Sequence, residues 1–200
     1  MKKLEQLLAK RADLYINQEN GLIELRSKGA IIEAFECINL IDLEYVNVFE
    51  FWGGYDNLER LDVRSAISGF SEDCVKVDGH FKCKNGSLII PTSHHFCMLI
   101  REKVISEFCI ITMRGLDTKA SRRWNIKAME VIKDKNNFKY TPPKYTHIYS
   151  SSVIREKGRY MWDFSNPIEI VSSETLNYLM DIKNYISNIW KYNVYGEPDN

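Results

Sequence analysis

The chain has 200 residues, 44% hydrophobic and 27% charged, and its 27 Lys/Arg offset 27 Asp/Glu to a formal net charge of zero. That is the make-up of an ordinary globule, too apolar for a disordered chain and long enough to bury a core without staples. No run approaches 18 apolar residues, which excludes a membrane-spanning helix. Five widely spaced cysteines, an odd number, make no secreted disulfide framework.

In chain order, Leu4, Leu7, Leu8, Ala12 and Tyr15 predict a helix over residues 2–18. Its basic start lacks the apolar stretch of a signal peptide, because Glu5, Gln6, Lys10 and Arg11 interrupt it, so the expected location is cytoplasmic. Ile31, Phe35, Ile38, Ile41, Tyr45, Phe49 and Trp52 step by three or four and predict a second helix over 30–52, although EYVNVFEFW also has strand composition. Asp56, with Glu59 three residues on, forms a capping box for a third helix ending near Gly69.

Strands are expected after Ser71. Asp78-Gly79 and Asn85-Gly86, flanked by short alternating runs, predict two-residue turns and a meander over 73–77, 80–84 and 87–90. HFCMLIR and VISEFCIITM follow as a hairpin turning at Glu102-Lys103. RWNIKAMEVI, THIYSS and NPIEIV are weaker strand candidates. Leu176, Leu179, Ile182, Ile186 and Ile189 predict a C-terminal helix capped by Ser172 or Ser173. The sum is one α+β domain: a helical part over 1–70, a mostly antiparallel sheet built from hairpins over 71–171, a helix over 172–192 packed on it, and a tail over 193–200.

The stretch CVKVDGHFKC carries three possible chemistries. A two-residue turn at Asp78-Gly79 pairs Cys74 with Cys83 and Lys76 with Phe81. It sends His80 to the opposite face, so His80 and the two cysteines do not converge as zinc ligands. By the same reasoning, an even turn at Glu102-Lys103 separates Cys97 from Cys109. A Cys74–Cys83 disulfide fits the geometry but not a reducing cytosol. Lys76-Val77-Asp78-Gly79 resembles the motif with which ligases and capping enzymes attach a nucleotide to lysine. The likeness covers four residues, and the acidic and paired-lysine strands that would follow are absent. Lys76, on an apolar face, would be the residue to carry such chemistry.

Two histidines could cleave RNA without metal by general acid–base catalysis. His94 or His95 with His147 are the candidates, and as neighbours on a strand His94 and His95 face opposite ways. No motif calls for a metal or cofactor.

Charge distribution is the strongest signal. Between Arg114 and Tyr160 stand 12 Lys/Arg against four Asp/Glu, whereas 1–72 holds eight against 13. Aromatics interleave with the cations: Trp124, Phe138, Tyr140, Tyr145 and Tyr149. Cations neutralise phosphates and exposed rings stack bases, so the reading is a binding protein for single-stranded RNA or DNA. Arg122, Arg123, Lys127, Lys139 and Lys144 would be phosphate contacts and Trp124 the stacker. The same division of charge also fits a protein-interaction module, such as an inhibitor or a viral or defence-system accessory protein, with an anionic protein partner or a homodimer.

Overall fold

The computed structural model describes Gln6 and residues 10–53, 59–66, 69–135 and 137–193, with side chains to residue 189. A 12-stranded, mostly antiparallel sheet dominates them. Its strands are β1 (Ala12–Ile16), β2 (Ile23–Ser27), β3 (Ala30–Phe35), β4 (Cys37–Trp52), β5 (Arg60–Ser65), β6 (Cys74–Val77), β7 (His80–Cys83), β8 (Leu88–Arg101), β9 (Val104–Arg114), β12 (His147–Glu156), β13 (Arg159–Phe164) and β14 (Ile168–Glu169). β10 (Lys133–Lys135) and β11 (Phe138–Tyr140) form a separate ribbon. The main order is β13-β12-β4-β8-β9-β1-β2-β3, with β1 parallel to β9.

Two helices cover opposite faces. α1 (Thr118–Met129) buries Ala120, Trp124 and Ala128 against Leu40, Cys97, Ile111 and Phe164 on the inner face. α2 (Ser173–Asn193) buries Leu179, Ile182 and Ile186 against Ile41, Phe96, Met98 and Ile110 on the outer face. Ser172 caps α2 as expected, its hydroxyl accepting the Thr175 N–H at 3.3 Å.

The sheet curls around α1 until the β1–β2 turn meets β13. The Gln18 carboxamide accepts the Tyr160 N–H at 3.1 Å and donates to the Tyr160 carbonyl at 2.9 Å, imitating a backbone pair across the seam. Gly21 lies against the Tyr160 ring so closely that a Cβ would sit 2.6 Å from it.

The expected N-terminal helices are corrected. Residues 12–16 are β1, residues 30–52 are β3 and β4, and Arg60–Ser65 is β5. Leu4, Leu7, Leu8 and the Asp56 cap lie outside the described residues. β4 is buried on both sides, beneath α1 and α2, so apolar residues occupy consecutive positions such as Leu40 and Ile41 and the period-two signal is lost. The reverse error occurs at RWNIKAMEVI. Most of it is α1, whose inward positions Ala120, Ser121, Trp124 and Ala128 alternate small residues with one large ring.

The β6–β7 hairpin has the expected register, Cys74 opposite Cys83 and Lys76 opposite Phe81. Asp78 and Gly79 have φ of 44° and 85°, as a type I′ turn requires. Cys74 and Cys83 are joined in a disulfide, Cα–Cα 4.0 Å, where free thiols were expected. The next turn departs from expectation. The Gly86 N–H bonds the Cys83 carbonyl, and the longer loop pairs Phe81 with Ile89. Ile89, rather than Leu88 and Ile90, therefore joins Phe81 and Cys83 in a small aromatic core. Glu102-Lys103 is the turn predicted, but a bulge between Leu99 and Ile100 shifts the register. Cys97 and Cys109 consequently face each other, both buried.

The hairpin turn also props the entry to α1. A Cβ on Gly79 would lie 2.8 Å from the Leu116 backbone nitrogen, in the 3-10 turn Gly115–Asp117 that leads into the helix. Gly79→Ala combines that clash with a left-handed φ. It should cost about 1–3 kcal/mol, read as a lowered urea midpoint; an unchanged midpoint would show that the turn relaxes freely.

Candidate polyanion interface and its buried anchor

A one-residue bulge in β4 sets the inner face. Asp42 pairs with Cys97 and Glu44 with Phe96, leaving Leu43 as the extra residue. The bulge turns Asp42 and Tyr45, three positions apart, to the same side, where both flank His95. His95 is fully buried, its Nδ1 2.9 Å from Asp42 Oδ2 and its Nε2 2.7 Å from the Ser121 hydroxyl on α1. Lys144 donates to the same Asp42 oxygen. The His95 ring lies between Tyr45 and Trp124, centroids 5.6 and 4.5 Å away. Trp124 stacks in turn on Phe164 at 3.9 Å.

Protonation follows from these partners. Burial by itself would raise the Asp42 carboxyl, but the Lys144 ammonium and His95 bring it below its ordinary value, so it is ionised. An ionised carboxylate only accepts, so His95 Nδ1 carries the proton. Burial lowers the His95 pKa despite Asp42, leaving Nε2 to accept from Ser121. The order carboxylate, imidazole, hydroxyl is that of a hydrolytic triad. Ser121, however, is 2% exposed beneath its own helix, so its hydroxyl meets no substrate. Here the chain of hydrogen bonds ties α1 and the Lys144 segment to β4 and β8.

A second buried carboxylate lies on the outer face. Glu50 accepts from Arg114 at 2.7 and 3.2 Å, with Arg60 at 3.7 Å and His94 Nε2 at 3.9 Å. Burial lowers the His94 pKa to about 4. His94 and His95 thus occupy opposite faces. His147 is 3% exposed, with Nδ1 2.8 Å from the Thr146 hydroxyl, and shares no contact with either. No two of these histidines converge on one point. Lys76 is exposed, its ammonium 5.9 Å above the Phe81 ring. Among the described residues no group of three or more His, Cys, Asp or Glu could hold a metal, and no helix is long and apolar enough to cross a membrane.

The basic segment divides in two. Several cations are engaged internally: Arg114 with Glu50, Lys144 with Asp42, Lys133 with Glu169, and Lys127 with the Phe164 carbonyl. Trp124 is a correction to the expected stacker, since its ring is fully buried and no base can reach it. The rest is arranged along α1. Arg123 pairs with Glu156 at 3.1 Å and Arg159 with Asp117 at 3.7 Å, holding the tip of the β12–β13 hairpin beside the first half of the helix. Lys119, Arg122, Arg155 and Lys157 are exposed around that junction. Lys135 and Lys139 stand exposed on the β10–β11 ribbon beyond the other end of α1. None of these six makes an ion pair among the described residues. A shallow cavity on the flank is lined by Tyr45, Lys144, Tyr145 and Lys183.

Compared with known protein families, curated proteins and solved structures, the chain matches none.

Lys144→Met should leave a buried carboxylate short of its cation and cost about 3 kcal/mol. Adding Asp42→Asn should restore part of that loss in urea melts, whereas additive losses would deny the coupling. Acid should also weaken the fold in a set order. The unfolded chain protonates histidine below about pH 6.5, while folded His94 protonates only near pH 4. The unfolded state binds more protons between those values, so stability is complete above the upper one and falls toward the lower. Asp42, depressed in the fold, adds a loss at still lower pH. Urea midpoints should therefore drop from pH 7 to 4, with a shallower slope in His94→Gln.

Proposed function

We propose that this protein binds a polyanion, and specifically nucleic acid, along the outer side of α1. The observation that carries the reading is the pair of ion bridges, Arg123–Glu156 and Arg159–Asp117, that fixes the β12–β13 tip against the helix. They bring Lys119 and Arg122 from one element beside Arg155 and Lys157 from another, with their charges unspent. Twelve helical residues span about 18 Å, and the exposed Lys135 of the β10–β11 ribbon adds a cation past the end of α1. Such a track suits a backbone of regularly spaced phosphates, whose counterions are released as lysine and arginine replace them. The rigid inner anchoring of α1 supports the same reading, because a fixed row of cations loses less entropy on binding than a mobile one.

Fluorescence anisotropy of labelled RNA and DNA oligonucleotides tests it. Affinity should fall steeply between about 50 and 200 mM salt. Replacing Arg122 and Lys157 by Ala should weaken every sequence alike and reduce the salt slope by about two. Absence of binding at the low-salt end would overturn the proposal.

A further inference from the structure

The β10–β11 ribbon presents two faces of different chemistry. Its register pairs Lys135 with Phe138 and Lys133 with Tyr140, while Asp134 faces Lys139 between them. Alternation therefore puts Phe138, Tyr140, Lys133 and Lys135 on one face and Asp134 and Lys139 on the other. Phe138 is 79% exposed and Tyr140 44%, so neither ring is filling a core. The ribbon is tethered at both sides. Lys133 bonds Glu169 on β14, and the Thr141 hydroxyl reaches the Met129 carbonyl at the end of α1 at 3.4 Å. The rings are thus held at the end of the positive track rather than on a loose arm.

We infer that this ribbon face is a stacking platform for unpaired bases, and that the polyanion is therefore single-stranded nucleic acid; the inference rests on the polyanion reading given above. Residues two apart on a strand are about 6.8 Å apart, twice the roughly 3.4 Å rise between stacked bases. Phe138 and Tyr140 are spaced so that one planar base enters between them, or two successive bases cover them. Phe138 has Lys135 directly across the ribbon, in place to meet the phosphate next to a stacked base, whereas Lys133, across from Tyr140, is held by Glu169. Every base has a π-face, so the platform accepts single strands with little sequence preference. A duplex keeps its bases stacked on one another and can use only the cation track.

The test compares three probes at one salt concentration: single-stranded oligothymidine, a blunt DNA duplex, and inorganic polyphosphate, which has charge but no bases. The variants are Phe138→Ala, Tyr140→Ala and Phe138→Trp. The alanine variants should bind oligothymidine at least about fivefold more weakly, with unchanged polyphosphate affinity and salt slope, and Phe138→Trp should retain wild-type binding. Equal losses on oligothymidine and polyphosphate, or no loss on oligothymidine, would overturn the platform while leaving the cation track in place. Wild-type protein that binds none of the three probes would overturn both.

Discussion

One carboxylate without water sets the terms for the inner half of this molecule. Asp42 lies at the centre of a two-sided strand and is ionised, so it must be matched by groups from other elements. Its Oδ2 receives both the Lys144 ammonium and the His95 N–H, and His95 passes the connection to Ser121 on α1. A charge so placed costs several kcal/mol to bury, and its partners offset this only when their positions are well defined. The helix and the Lys144 segment are accordingly specified relative to the sheet, not merely pressed against it by apolar contact.

The same arrangement links the interior to the surface. Ser121 and Trp124 fix the rotation of α1 about its axis, and with it the direction of Lys119 and Arg122 on its exposed side. Phe164 stacks on Trp124 and belongs to β13, the strand that starts at Arg159 immediately after the Lys157-Gly158 turn. The basic outer surface is thus assembled by inner contacts. The polyanion surface proposed above is held in place by the fold itself. Its charges come from three separate elements, α1, the β12–β13 hairpin and the β10–β11 ribbon, which the Arg123–Glu156, Arg159–Asp117 and Lys133–Glu169 ion pairs hold in place.

The legible parts of the sequence were those in which chemistry is local. Asp78-Gly79 fixed a turn and a register because few dipeptides accept two positive φ angles. Leu176, Leu179, Ile182 and Ile186 showed the C-terminal helix because one side of it is wet. Leu40, Ile41 and Leu43 misled because β4 has no wet side. The bulges at Leu43 and Ser106 leave no trace in composition, yet each inverts every face beyond it; the second joined Cys97 to Cys109 where an even turn alone would have parted them. The buried network was the least legible. His95 and Lys144 drew notice singly, but Asp42 lies 53 positions from the first and 102 from the second, and Ser121 looks like any polar helix residue. In the basic segment, counting charges marked a cation-rich stretch. It could not separate Lys144 and Arg114, turned inward to carboxylates, from Lys119 and Arg122, turned outward.

The seam at Gln18 gives this curled sheet a mechanical grain. Elsewhere around the curl, neighbouring strands are joined by ladders of backbone hydrogen bonds, which fail only together. Between the β1–β2 loop and β13 the junction is one carboxamide and a tyrosine ring resting on Gly21. The curl around α1 is thus closed at the seam by side chains, where its other strand boundaries are closed by backbone, and behind that seam Trp162 and Phe164 share one buried core with Leu14 and Leu25.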